Sequence, residues 1–374
     1  MKLNRHSRIA ATAVMGALAL TLSACGSDNA TGTSSSAAAT TGGETMAALS
    51  GQLNGAGSSA QESAMGAWRA GFGAANPDVA VTYDPVGSGG GRTQFLDGSI
   101  TFAGSDAALS ADELTQATTR CFGSDAMDLP IYVSPIAVVF NLSGVKELNL
   151  SPETIASIFD GKITSWDDPA IAADNAGVTL PAATITPVHR SDDSGTTKNF
   201  TDYLAKAGNG AWGYDADGVW PIDGGESAQG TSGVVQAVQA GEGTITYADA
   251  SKAGDLGKVS VKVGDAFVAP SEEAAAKTLD VSPRDDSRTA NDIVIKVDRT
   301  TTEAGAYPLI LVSYLVACQQ YDNQSDVDNV KAFLSYVASA EGQSAAESAA
   351  GSAPISDALR ADVQTAIDSI ALAS

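Results

Sequence analysis

Three times before residue 205, a β-branched apolar run stops at a turn rich in glycine or small polar residues and resumes at helical spacing. The first passes from Leu53 through Gly55-Ala56-Gly57-Ser58-Ser59 to Met65, Trp68 and Phe72, with Ser58 or Ser59 as the expected N-cap. The second passes from residues 79–83 through Gly87-Ser88-Gly89-Gly90-Gly91 to Phe95 and Leu96. The third leads from residues 183–188 through His189-Arg190-Ser191-Asp192-Asp193-Ser194-Gly195-Thr196-Thr197 into an apolar run at 200–204. A short strand at 100–103 adds one more such ending, Gly104-Ser105-Asp106. Strands and helices alternating in this way predict an α/β fold, in which ligands gather at the carboxyl ends of strands.

The chemistry of those turns is that of an anion site. A Ser-Gly-Thr opening a helix offers free backbone N–H groups, hydroxyl donors and the positive end of the helix dipole. Arg190 adds a planar fork of donors suited to a tetrahedral oxyanion. No GxxxxGK[ST] occurs, and no turn gives GxGxxG with a suitably placed acid, so neither a Walker loop nor a dinucleotide fingerprint is present.

The acidity of the chain limits its partners. A formal charge of −23 argues against nucleic acid, which needs a basic face. Any anion must therefore be held by donors close around it. At 374 residues the chain exceeds what one core usually serves, so two domains are expected.

Lys2, Arg5 and Arg8 precede an apolar run over residues 9–22, the form of a secretory signal occupying 1–24. It ends in Leu22-Ser23-Ala24-Cys25, which looks like a bacterial lipobox, with Cys25 acylated as the mature N-terminus. Loss of those three basic residues would take the charge from −23 to −26. A Ser/Thr/Ala/Gly tract follows, and residues 25–47 read as a lipidated cysteine and flexible tether. Cys121 and Cys318 remain. Two cysteines in an exported protein suggest a disulfide, although their spacing alone does not bring them together.

Two apolar runs, at 129–140 and 304–316, are longer than ordinary strands require. Ser151-Pro152-Glu153 opens a helix with proline in its first turn. Residues 230–239, 324–340 and 356–372 read as helices, and 258–270 as a hairpin. Trp166, Trp212 and Trp220 are expected to pack a core. His6 falls in the signal, so a serine hydrolase would have to use His189 beside Ser194, and no GxSxG elbow is present. No His/Cys cluster has metal-ligand spacing, so neither metal nor cofactor is expected, and the chain is not read as an enzyme.

NGAGSS, PVGSGGG, FAGSDAALS, FDGKITSWDDPAI, HRSDDSGTT and WPI…GTSGVVQAVQAGEGTITYADAS occur in this order. Together they resemble the substrate-binding lipoproteins of Pst-type ABC phosphate transporters over about residues 50–340. The resemblance implies two α/β lobes of the type II periplasmic-binding-protein kind, joined by two crossing strands and closing on inorganic phosphate. The crossings would fall in the two long apolar runs, with lobe I at 48–140 plus 305–374 and lobe II at 141–304. Cys121 and Cys318 would then share lobe I. The implied setting is a monomer, lipid-anchored to the outer face of the cytoplasmic membrane, that delivers phosphate to an ABC permease.

Carried over position by position, Ser59 would donate N–H and hydroxyl to phosphate. Ala60 would give N–H only, where the family usually has a bulkier aromatic. Ser88 would contribute from the second turn, and Ser194, Gly195 and Thr196 from lobe II. Arg190 would pair with the ligand, oriented by Asp192. Asp106 would face the anion with a carboxylate, accepting the P–O–H proton that phosphate keeps and sulfate lacks. Other readings are a receptor for another protonated tetrahedral oxyanion such as arsenate, a secreted phosphohydrolase or serine hydrolase, and a surface interaction protein that no longer transports.

Overall fold

A computed structural model describes residues 49–374. The expected signal, the acylated Cys25 and the tether lie outside the described residues. The chain opens with β1 (Gly51–Gly57), α1 (Glu62–Ala75), β2 (Val79–Asp84), α2 (Ser88–Leu96), β3 (Phe102–Ser105) and α3 (Ala111–Arg120). β4 (Ala126–Phe140) leads to β5 (Glu147–Leu150), α4 (Pro152–Phe159), α5 (Pro169–Asp174), β6 (Thr186–Arg190) and α6 (Gly195–Ala207). Next come β7 (Glu226–Ala228), α7 (Gly230–Ala240), β8 (Thr244–Asp249), β9 (Gly257–Val263), β10 (Ala266–Val268) and α8 (Glu272–Asp280). β11 (Ile310–Cys318), β12 (Gln320–Tyr321), α9 (Gln324–Ala338), α10 (Ala340–Ala350), α11 (Asp357–Asp368) and β13 (Ala371–Leu372) close the chain.

The sheet has two halves joined through β4. In the first, β1 lies parallel between β2 and β3, and β11 runs antiparallel between β3 and β4. In the second, β8 is antiparallel to β4 and is followed by β6 and β7 in parallel. β9 also pairs with the end of β4, carries β5 on its other side, and forms a hairpin with β10 on the side of β4. β4 belongs to both halves: Ala126–Pro135 pairs with β11, then Ile136–Phe140 pairs with β8. All of its residues are buried, which is why the sequence there reads as one long, mostly apolar run.

The second long run becomes a regular strand only at Ile310. Pro308 cannot donate to a ladder. Residues just before it still close on β4, with Ile136 N–H donating to Leu309 O and Tyr307 Oη to Ile136 O, each at 2.8 Å.

Met65, Trp68 and Phe72 form the buried face of α1. Trp68 donates to Gly342 O of α10, and Phe72 meets Phe333 of α9 edge to face. The N-cap position of α1 is Gln61, not a serine, and no side chain caps it. Ser58 and Ser59 are turned to other work in the preceding turn. In the second half the aromatic residues cluster as expected: Trp166 packs on Phe140, and Trp212 and Trp220 pack together beside Phe159 and Tyr247.

Cys121 and Cys318 are joined in a disulfide with a Cα–Cα distance of 5.1 Å, tying the end of α3 to the end of β11. Closing a loop of 197 residues is worth about 5 kcal/mol by the chain-entropy relation.

Candidate functional site

β1, β2 and β3 deliver their carboxyl ends to one place, and glycine lets them approach. Gly57 has φ +142°, and a methyl there would fall 1.9 Å from Gly104 O. A methyl on Gly91 would meet Gly57 Cα at 2.5 Å. Part of the glycine in these turns therefore serves backbone-to-backbone packing. What that packing does is align three turns: Ser58 N–H donates to Gly104 O, and Gly87 N–H to Gly57 O.

Asp106 sits where these turns meet the opening of α6. It is buried, as are Ser59, Ala60, Ser88, Arg190, Ser194 and Thr196. Its backbone N–H donates to Ser88 Oγ at 3.1 Å. Its carboxylate accepts from Thr196 Oγ1 at 3.0 Å and from Ser313 Oγ at 2.5 Å. Asn199 of α6 donates to Asp106 O. Gly195 lies closest of all: a methyl on it would stand 2.6 Å from Ser88 Oγ and 2.8 Å from Asp106 Cβ.

Ser194 caps α6 as the sequence predicts, accepting from Thr197 N–H at 3.2 Å. α6 therefore opens beside Ser88 and Asp106, with the positive end of its dipole at that place. Arg190 ends β6, and its guanidinium makes two bonds to Asp192. Gly230 N–H donates to the same carboxylate at 3.1 Å. Burial pushes the Asp192 carboxyl up, but the Arg190 bonds and charge, with Gly230, outweigh it and hold the group below its ordinary value. Asp192 also closes on the second turn, since a methyl on Gly87 would lie 2.3 Å from Oδ2.

Ser59 faces the second half directly. Thr231 N–H donates to Ser59 Oγ at 3.0 Å, and the two hydroxyls are 3.0 Å apart. Ala60, at the entry to α1, donates its N–H to Ser58 Oγ at 3.1 Å. Tyr83 donates to Ser58 O, and burial followed by the nearby Asp106 charge pushes its phenol well above the ordinary range. His189 turns Nδ1 to Arg190 O and stacks on Trp220 with ring centres 5.2 Å apart.

The structure thus gathers Ser88, Asp106, Gly195 and Thr196, reaches Arg190 through Asp192 at the second turn, and sets Ser59 against Thr231 and Gly230. Four participants carried no role in the sequence. Thr231 lies in the quoted GTSGVV segment, whose match gave it no partner. Ser313 is one polar residue in an apolar strand, a signal that could have singled it out. Gln61 and Arg92 sit in helical stretches where polar residues are unremarked. Arg92 is buried and bonds Glu113 at 2.8 Å and Asp193 at 3.4 Å, linking α2 and α3 to the third turn. A groove of about 420 Å³ reaches Asp106 past Lys198, Asn199 and Tyr314.

The sequence model of the PBP superfamily domain matches residues 34–341. Phosphate-binding protein PstS 3 of Mycobacterium tuberculosis (strain ATCC 25618 / H37Rv) is 39% identical over 381 residues, covering 99% of this chain and 100% of that protein. Phosphate-binding protein PstS of Xylella fastidiosa is 33% identical over 317 residues, covering 81% of this chain and 82% of its own length. A solved periplasmic phosphate-binding protein, PfluDING, bound with phosphate at pH 8.5, superposes with a TM-score of 0.71 at 24% identity. That superposition covers 84% of this chain and 93% of PfluDING, and it shows the same two-lobed fold.

Proposed function

We propose that this chain, which belongs to the PBP superfamily alongside the PstS-type phosphate-binding proteins, binds inorganic phosphate between its two halves and passes it to an ABC permease. The observation that carries this reading is Asp106: a buried carboxylate placed among the hydroxyls of Ser88 and Thr196 and the first turn of α6. An anion site built with a carboxylate at its centre suits only an anion that brings its own proton. Phosphate does so throughout the neutral range, and sulfate does not.

In this mechanism the ligand oxygens take hydrogen bonds from the Ser59, Ser88 and Ser194 hydroxyls and from the N–H groups of Ala60, Gly195 and Thr196, the Thr196 hydroxyl being spent on Asp106. Arg190 supplies the compensating charge, its fork held by Asp192. Alanine at position 60 retains the N–H and gives up only side-chain cover. Phosphate keeps its hydration shell outside and exchanges it for these fixed donors inside, so the field of an acidic protein matters less than the contacts within a few ångströms. Asp106 accepts from the P–O–H group. For sulfate the same contact is like charge against like charge.

Lobe I comprises residues 48–140 and 305–374 and lobe II residues 141–304, so that Ser59, Ser88 and Asp106 approach the ligand from one side and Arg190, Ser194, Gly195 and Thr196 from the other. Export on the N-terminal signal and acylation of Cys25 place the receptor at the outer face of the membrane. Isothermal titration of the purified protein is expected to give one phosphate per chain and no detectable heat with sulfate. Comparable affinities for the two anions would defeat the role given to Asp106.

A further inference from the structure

Asp106 is reached from behind by a chain of side chains that begins on α1. Gln61 is fully buried, and its Nε2 donates to Tyr314 O at 3.0 Å and, by a short bond, to Ser313 Oγ. Only an amide NH₂ can meet a backbone carbonyl, so the Tyr314 contact fixes which way the Gln61 amide faces. Ser313 Oγ then accepts from Gln61, and its single proton goes to Asp106 Oδ1. Thr196 donates to Asp106 Oδ2 from the other side. Both oxygens of Asp106 thus receive protons from fixed donors, and the carboxylate is left with accepting lone pairs alone.

The strand beneath is shaped for this. The pairing of β11 with β4 slips between Ser313 and Tyr314, where Ser313 opposes Tyr132 and Tyr314 opposes Pro130. A bulge of this kind re-aims side chains and releases backbone groups from the ladder, and bulges gather beside functional sites. The extra residue is Ile131 of β4, whose carbonyl accepts from Gln343; opposite it on β11, Ser313 donates to Asp106 and Tyr314 O accepts from Gln61. In an otherwise apolar strand, a fully buried serine with both its accepting and donating bonds made has no other evident use.

We infer that Gln61 and Ser313 are positioning residues that hold Asp106 as an acceptor toward the bound anion, and so set the preference for proton-bearing over fully ionised tetrahedral oxyanions. The inference rests on the phosphate reading above. Ser313 keeps the carboxylate from turning, so that it meets the anion as an acceptor. Gln61 acts one step further back, by deciding where the Ser313 proton points.

The test uses the full chain with Ser313→Ala and Gln61→Met, each removing one link. Phosphate affinity is read by calorimetry and sulfate affinity by displacement of bound phosphate, with thermal melting as the check on folding. Each variant is expected to lower the phosphate-over-sulfate ratio roughly ten- to a hundredfold, the range for losing a hydrogen bond to a charged group. An unchanged ratio in a cooperatively melting variant overturns the inference. So does a parallel fall in both affinities, which is what a purely structural role would give. The two variants act at different places, and one that folds is enough. Failure of the unsubstituted chain to bind phosphate would instead overturn the reading of the site itself.

Discussion

Gly195 holds α6 at contact distance from Ser88 and Asp106, and no other residue could stand there without pushing the turns apart. Arg190 is the complementary case, a residue whose charge rather than its smallness matters. Its side chain is 2% exposed, and its guanidinium is tied to Asp192. Arg190→Ala is expected to weaken phosphate binding by at least roughly 1.5–3 kcal/mol in titration, the range for hydrogen bonds to a charged group. Wild-type affinity in that variant would remove Arg190 from the site. The hydroxyls and glycines of the turns were legible in the sequence because turns rich in glycine and serine stand out from apolar runs. Thr231, Ser313 and Gln61 were not, since each gains its meaning from a partner between 172 and 253 positions away.

Among the elements, β8 and β4 form the seam where the two half-sheets join, and a titratable group is built into it. Asp249 ends β8 opposite Ile136, accepts from Tyr132 Oη at 2.9 Å, and accepts from both Ser251 N–H and Ser251 Oγ. Burial pushes its carboxyl up to about 6, against bonds from Ser251, Ser134 and Tyr132 that lower it. An acid raised in the folded state binds more protons folded than unfolded between its two values. Its contribution to stability therefore falls as pH rises from about 4 to about 6, by about 3 kcal/mol in all. Asp249→Asn should not show that fall. The stability difference in favour of the variant, measured by denaturant unfolding, is expected to grow between pH 4 and pH 7; a constant difference would mean that Asp249 does not titrate in this window. Element types were readable from periodicity and from caps such as Ser151-Pro152 and Ser194. Where they begin was less so: β6 starts at Thr186, and β11 waits for Ile310, because a proline and partner strands decide the ladder.

At the scale of the whole molecule, the resemblance carried by six ordered motifs implied two lobes, and the sheet has two halves that meet along β4. Apolar length alone did not say that β4 changes partner midway, from β11 to β8. Small-angle scattering is expected to report compaction when phosphate is added, as closure of one half on the other requires. Identical profiles with and without phosphate would count against closure.

The change of partner on β4 has a mechanical meaning. One uninterrupted rod runs through both bodies, so they cannot slide apart; relative movement must be taken up as torsion over Ser134, Pro135 and Ile136. Pro135 pairs with Ile310 at that spot and has no N–H to contribute. A swing over these residues would turn about a stretch whose ladder already lacks one donor, as it does again at Pro130.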